Sequence, residues 1–214
     1  METDKLIDRL AGDLRPASAR QVPWRIAAVA ALGGLVALAL VVWWLGMRPD
    51  LMTAVHGKMF WMKAAYAAVL GLGGFLALER LARPGGVGRA GLWVAAAALL
   101  LLVGLGSLQL MAAPSEVRSA LWMGQSWRRC PLYILALAAP ILVATLLTVR
   151  GFAPTRLALA GGAAGLFAGG VAATAYGLHC PETALAFVAT WYSLGVLLTA
   201  ALGAALGPLV LRWR

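Results

Sequence analysis

The residues of this chain best suited to chemistry are its two cysteines, Cys130 and Cys180, each followed directly by a proline. A thiol can act as a reductant, as a nucleophile or as a soft metal ligand. Arg128 and Arg129 precede Cys130, and nearby cations raise thiol reactivity. His179 adjoins Cys180, and His56 is the chain's other imidazole. Two thiolates with one or two imidazoles suit zinc or a softer ion, although no ligand pair has the close spacing of a metal motif. Three readings of Cys130, Cys180, His179 and His56 therefore stand open: a structural disulfide, a redox sensor and a metal site. A quinone-linked thiol oxidase would need further cysteines to pass electrons onward.

The elements that must position these residues are membrane helices. Of 214 residues, 62% are hydrophobic and 12% charged, with a mean hydropathy of +0.85. That is well above the apolar share of a soluble domain and about half its charged share. Six apolar runs have roughly the ~20 residues that a bilayer requires: 26–46, 60–78, 92–111, 132–149, 157–178 and one within 184–211. Trp24, Trp43 and Trp44 mark the interfaces of the first. Lys63 lies one turn inside the second and is expected to snorkel outward. Pro140 should kink the fourth. The connection 113–129 is the longest and is expected to carry a short surface helix. The fold class is thus an all-α polytopic bundle of six transmembrane helices. Because two spans separate the cysteines, Cys130 and Cys180 must emerge on one side of the membrane.

Counting Lys and Arg orients the bundle. With the N-terminus inside, 12 of the 18 basic residues fall on inner segments and 6 on outer ones. Both termini are expected in the cytoplasm and both cysteines in the periplasm, where disulfides form and persist. The net charge of +10 serves this orientation. It does not suggest nucleic acid, because the basic residues are scattered through short loops. No cleavable signal peptide is apparent.

Residues 1–15 are polar with a helical stripe: Leu6, Ile7, Leu10 and Leu14 share one face. Thr3 is a candidate N-cap, and Asp4 sits where the helix dipole favours an anion. A short amphipathic helix, tethered by 16–23, fits a partner's groove, the headgroup surface or a frayed end. Gly161, Gly165 and Gly169 are four apart, as are Gly203 and Gly207, which permits close helix approach within the bundle or in a homodimer. The middles of the spans carry no ionisable group, which argues against a transporter. Neither a phosphate loop nor a nucleophile–base pair is present, so an enzyme is not expected.

The chain resembles a bacterial family at several of these points. The residues that carry the likeness are Thr3-Asp4-Lys5-Leu6-Ile7 with Leu10, Arg48-Pro49-Asp50-Leu51, and Gly124-Gln125-Ser126-Trp127 leading to Cys130. His179-Cys180-Pro181-Glu182, followed by Phe187 and Trp191-Tyr192, completes them. It is similar to the six-helix inner-membrane anti-sigma factors of the negative regulator of sigma F type, which restrain extracytoplasmic-function (ECF) sigma factors. The resemblance implies a cytoplasmic segment, residues 1–25, that holds a sigma factor through Thr3, Asp4, Leu6, Ile7, Leu10 and Leu14. It further implies a sensor domain, residues 26–214, in which Cys130 and Cys180 sense redox or metal stress. No cofactor is expected beyond a metal ion at those cysteines. The reading from another class is a periplasmic-face metal-binding or thiol-redox membrane protein without a sigma partner.

Overall fold

The computed structural model of the chain describes Thr3, Lys5, Ile7 and residues 21–212. Six helices are long and apolar enough to cross a membrane: α1 (Gln21–Leu45), α3 (Lys58–Leu81), α4 (Arg89–Ala112), α6 (Cys130–Arg150), α7 (Leu157–Tyr176) and α8 (Leu185–Val210). Two shorter helices, α2 (Leu51–Ala54) and α5 (Ser115–Met123), lie in the connections. No strand occurs among the described residues. The six expected spans are all present, with ends displaced by a few residues. The expected helix in the longest connection is α5. Residue 21 already begins α1, with Pro23 in its first turn, where a missing N–H costs nothing. The anticipated 16–23 tether is therefore partly helical. α6 runs through Pro140 without a break.

α7 is the hub. It packs against α8, α3, α6 and α1, and 67% of its apolar stretch is buried, against 17% for α1. Its Gly- and Ala-rich sequence explains the position, since small side chains let four neighbours approach a single axis. A Cβ on Gly165 would lie 2.7 Å from Ala200 Cα, and one on Gly161 would lie 2.8 Å from Gly207 Cα. The glycine stripes, expected to allow close approach within the bundle or in a homodimer, face each other inside one chain, on α7 and α8. They bring these two helices together and are not left for a second copy.

Hydroxyls within the spans mostly bond their own helix. Thr145 donates to the Ile141 carbonyl, Thr174 to that of Gly170 and Thr199 to that of Gly195, as expected for lone hydroxyls in apolar helices. Tyr66 and Ser193 differ, joining α3 to α8 through a 2.6 Å hydroxyl pair. At the end of the bundle away from the cysteines, Arg83 pairs with Glu79 at 2.7 Å and Arg25 lies over the Phe152 ring at 5.6 Å.

Candidate functional site: a clamped thiol pair

Cys130 begins α6, and Cys180 lies in the short link between α7 and α8. Both are free thiols, and neither has any exposed surface. They share one cluster at one end of the bundle. The Tyr176 hydroxyl, at the end of α7, is turned toward the Cys130 thiol. The Tyr192 hydroxyl faces Cys180 but reaches no hydrogen bond of ordinary geometry. The two tyrosine rings lie 5.5 Å apart. Tyr192 is delivered there by a π-helical turn, Val188–Tyr192, inside α8; such turns occur often at functional sites.

The Cys180 segment is held from several sides. Lys63 of α3 is 2% exposed and does not snorkel to the interface. Its ammonium instead donates to the carbonyls of Cys180 at 3.0 Å and Glu182 at 2.7 Å, and lies 5.9 Å from the centre of the Tyr192 ring. Burying a cation in a membrane bundle is costly unless polar groups meet it, and these two carbonyls do so. Arg48, in the link after α1, donates from its backbone to Leu178 O at 3.1 Å and from Nη1 to Cys180 O at 3.3 Å. Its other guanidinium nitrogens grip Asp50 at 2.6 and 2.7 Å. That bidentate bond raises the Arg48 pKa and holds the Asp50 carboxyl below the usual carboxylate range. His179 donates from Nδ1 to the Gly46 carbonyl at 2.8 Å.

Glu182 completes the clamp. One carboxylate oxygen accepts from Gln125 N at 2.7 Å, and from Ser126 N and Ser126 Oγ, both at 3.1 Å. Gly124 makes room for it: with φ of +55°, its Cβ would fall 2.6 Å from the Glu182 carboxyl carbon. The Cys130 N–H then closes back to Ser126 O at 2.9 Å. Next to Tyr192, the Trp191 ring lies 5.2 Å from Trp127 and 5.9 Å from Trp122. Trp191 also donates to the Trp122 carbonyl at 2.8 Å.

Every short motif outside the N-terminal segment therefore converges here: Arg48–Asp50, Gly124–Trp127, His179–Glu182 and Trp191–Tyr192. The family described as Negative regulator of sigma F (NrsF) matches residues 10–213. The chain belongs to this family. An anti-sigma-F factor NrsF of Caulobacter vibrioides is 50% identical over 215 residues, covering the whole of both chains. A probable anti-sigma-F factor NrsF of Azospira oryzae is 40% identical, again across both full lengths. No solved structure matches.

Sequence reasoning grouped Cys130, Cys180 and His179; in this NrsF-family chain the two thiols share one buried cluster, while the His179 ring bonds the Gly46 carbonyl and packs on Tyr133 and Tyr176. His56 lies on the exposed turn before α3. Among the described residues, no group of three or more His, Cys, Asp or Glu could hold a metal ion. Arg128, expected to activate Cys130, stacks on Trp127 with 4.9 Å between guanidinium and ring centre. In the N-terminal segment, Thr3, Lys5 and Ile7 are helical and exposed; Asp4, Leu6, Leu10 and Leu14 lie outside the described residues. The sequence reading missed Lys63, Arg48, Tyr176 and Tyr192. A charged residue one turn inside an apolar span was the available signal.

Proposed function

We propose that this chain is a membrane-bound anti-sigma factor. Residues 1–25 hold an ECF sigma factor in the cytoplasm through Thr3, Asp4, Leu6, Ile7, Leu10 and Leu14. Residues 26–214 form the inner-membrane sensor, with Cys130 and Cys180 facing the periplasm and both termini in the cytoplasm. Oxidation of the thiol pair loosens the hold on the sigma factor. The observation that supports this reading is the clamped pair itself: two buried free thiols whose flanking segments are held by hydrogen bonds from the link after α1, from Lys63 of α3 and from residues 125–126.

α1 supports a route from sensor to partner. Its cysteine-end link is bonded to Leu178, His179 and Cys180 through Arg48 and Gly46, and its other end leads directly into residues 1–20. It is also the least buried span, so a shift of the Cys180 segment meets little resistance there. Moving the equilibrium from nearly all bound to nearly all free needs a difference on the order of 5 kcal/mol between the two sensor states.

The test is capture from the native host in mild detergent, comparing the full chain with one lacking residues 1–15. Recovery of a sigma factor with the full chain alone supports the reading; recovery with neither overturns it. Induction that is unchanged in a Cys130→Ser, Cys180→Ser double variant removes the sensing role.

A further inference from the structure

An apolar groove of about 750 Å³ opens on the side of the bundle, between α1, α3 and α7. Its walls are stripes at helical spacing. α1 contributes Ala27, Ala30, Gly34 and Leu38, and α3 contributes Trp61, Ala64, Ala68 and Phe75. Residues three and four apart share a helix face, and the small ones among these leave a furrow that larger side chains would fill. Only two lining side chains carry a polar atom, and both are satisfied. Thr174 donates to the Gly170 carbonyl and the Trp61 indole to the Val55 carbonyl, each at 2.8 Å. The two ends of the groove differ. Away from the cysteines, the Phe75 and Phe167 rings meet at 6.2 Å between centres. At the cysteine end, Lys58 stands three residues before Trp61 and extends the α3 stripe by one turn. Lys58 is exposed and makes no hydrogen bond or ion pair among the described residues. Arg48 and Lys63, at the same end, are both engaged.

We propose that this groove binds one acyl chain of an anionic phospholipid, with the headgroup phosphate on Lys58 and the tail running toward Phe75 and Phe167. The inference goes beyond the sigma contact and needs only that the six helices span a membrane. Dimensions select the occupant. From Trp61 to Phe75 the groove is about 21 Å long at 1.5 Å per residue. That exceeds the roughly 15 Å half-thickness of the hydrocarbon core, so a whole chain can lie in it. Spread over that length, 750 Å³ gives a mean section of roughly 36 Å². A helix about 10 Å across has a section of roughly 80 Å², so the groove is too narrow to take a helix of a second copy. A small polar ligand is disfavoured as well, because its donors and acceptors would be buried without partners.

Charge selects the headgroup. Lys58 presents a compact ammonium, the kind of group that draws anionic lipids at a membrane surface. The acidic residue of the preceding link, Asp50, is held by Arg48 and does not compete for it. A zwitterionic headgroup carries its own cation beside the phosphate, and a phosphatidylglycerol headgroup does not. The seated chain covers α1, whose apolar stretch is only 17% buried, and ties it to α3 and α7.

The experiment uses the full chain in mild detergent, titrated with single lipids and read by native mass spectrometry. The unaltered protein is expected to hold one phosphatidylglycerol about fivefold more tightly than phosphatidylcholine with the same chains, as one lysine near the headgroups provides. Ala68→Phe puts a ring into the groove at an exposed position and should weaken both lipids roughly tenfold. Ala97→Phe, on the neighbouring apolar surface between α3 and α4, should leave both unchanged. Lys58→Glu should abolish the preference for phosphatidylglycerol while phosphatidylcholine binds as before. No retained lipid, equal retention in Ala68→Phe, loss in Ala97→Phe as well, or no headgroup preference overturns the proposal. So does a fatty acid that binds as tightly as phosphatidylglycerol. The sigma contact is read separately, from capture with and without residues 1–15.

Discussion

The Lys63 ammonium lies 3.0 Å from the carbonyl oxygen of Cys180, joining two residues 117 positions apart. The same nitrogen bonds Glu182 O, so one side chain of α3 fixes both sides of the Cys180-Pro181 step. Lys63→Met removes both bonds. Hydrogen bonds to a charged group contribute about 1.5–3 kcal/mol, and relief of the ammonium's desolvation offsets part of that. The expected net loss is about 1–2 kcal/mol, read as a lower unfolding midpoint in mixed micelles. A midpoint equal to that of the unaltered protein would show that Lys63 does not fix the segment.

The α7–α8 contact predicts a sharp contrast between neighbouring glycines. Gly165→Val drives a side chain into Thr199 and Ala200 and should cost about 3 kcal/mol or more, the upper range of overpacking. At Gly162 a Cβ would meet only Ala204 Cβ, at 3.5 Å, and Ala200 O, at 3.7 Å. Gly162→Ala should be neutral or slightly stabilising, because Ala favours a helix over Gly by up to ~1 kcal/mol. Size-exclusion chromatography after mild heating separates the two outcomes; equal tolerance at both sites is incompatible with the packing.

Asp50 makes stability pH-dependent in one direction. Its pKa is lowered in the fold by the hydrogen bond from Arg48. Its contribution is therefore fully present above the ordinary aspartate pKa of about 3.9, and is lost as pH falls through the lower folded value. The stability gap between the unaltered protein and Asp50→Asn should be constant at neutral pH and narrow in acid. Unfolding midpoints measured from neutral pH downward test this, and a gap that widens in acid would refute it.

For the proposed sigma contact, Leu10→Asp is the direct probe. Burying a leucine contributes about 1.5–3 kcal/mol, which corresponds to roughly a 10- to 200-fold change in affinity. Titration of the nanodisc-embedded chain with the captured sigma factor should show a loss of at least that size. Undiminished binding would remove Leu10 from the contact face.

How much of this was legible beforehand differs by element. The six spans followed from hydropathy and length, since a bilayer demands long apolar runs whatever the tertiary packing. The shared side of Cys130 and Cys180 followed from counting crossings. The destinations of Lys63 and Arg48 did not. Near a membrane interface, a basic side chain can snorkel to water or turn inward to a carbonyl, and the sequence pattern is the same for both. Glu182 illustrates a second limit. Its partners are mainly backbone N–H groups at 125 and 126, which leave no side-chain signature beyond Gly124. The glycine stripes were readable as close-contact surfaces, but whether they meet within a chain or between chains depends on helix order around α7.

The π-helical turn at Val188–Tyr192 carries one more residue than an α-helical turn would hold. Each residue turns an α-helix by about 100°, so the surplus residue sets the azimuth of everything around it. A relative shorter by one residue in that turn would keep six spans, the same hydropathy and both cysteines, and align almost perfectly with this chain. Its Tyr192 counterpart would nevertheless face away from Cys180. For this chain, a single-residue gap in an alignment is a more informative difference than many substitutions along the outward-facing sides of the helices.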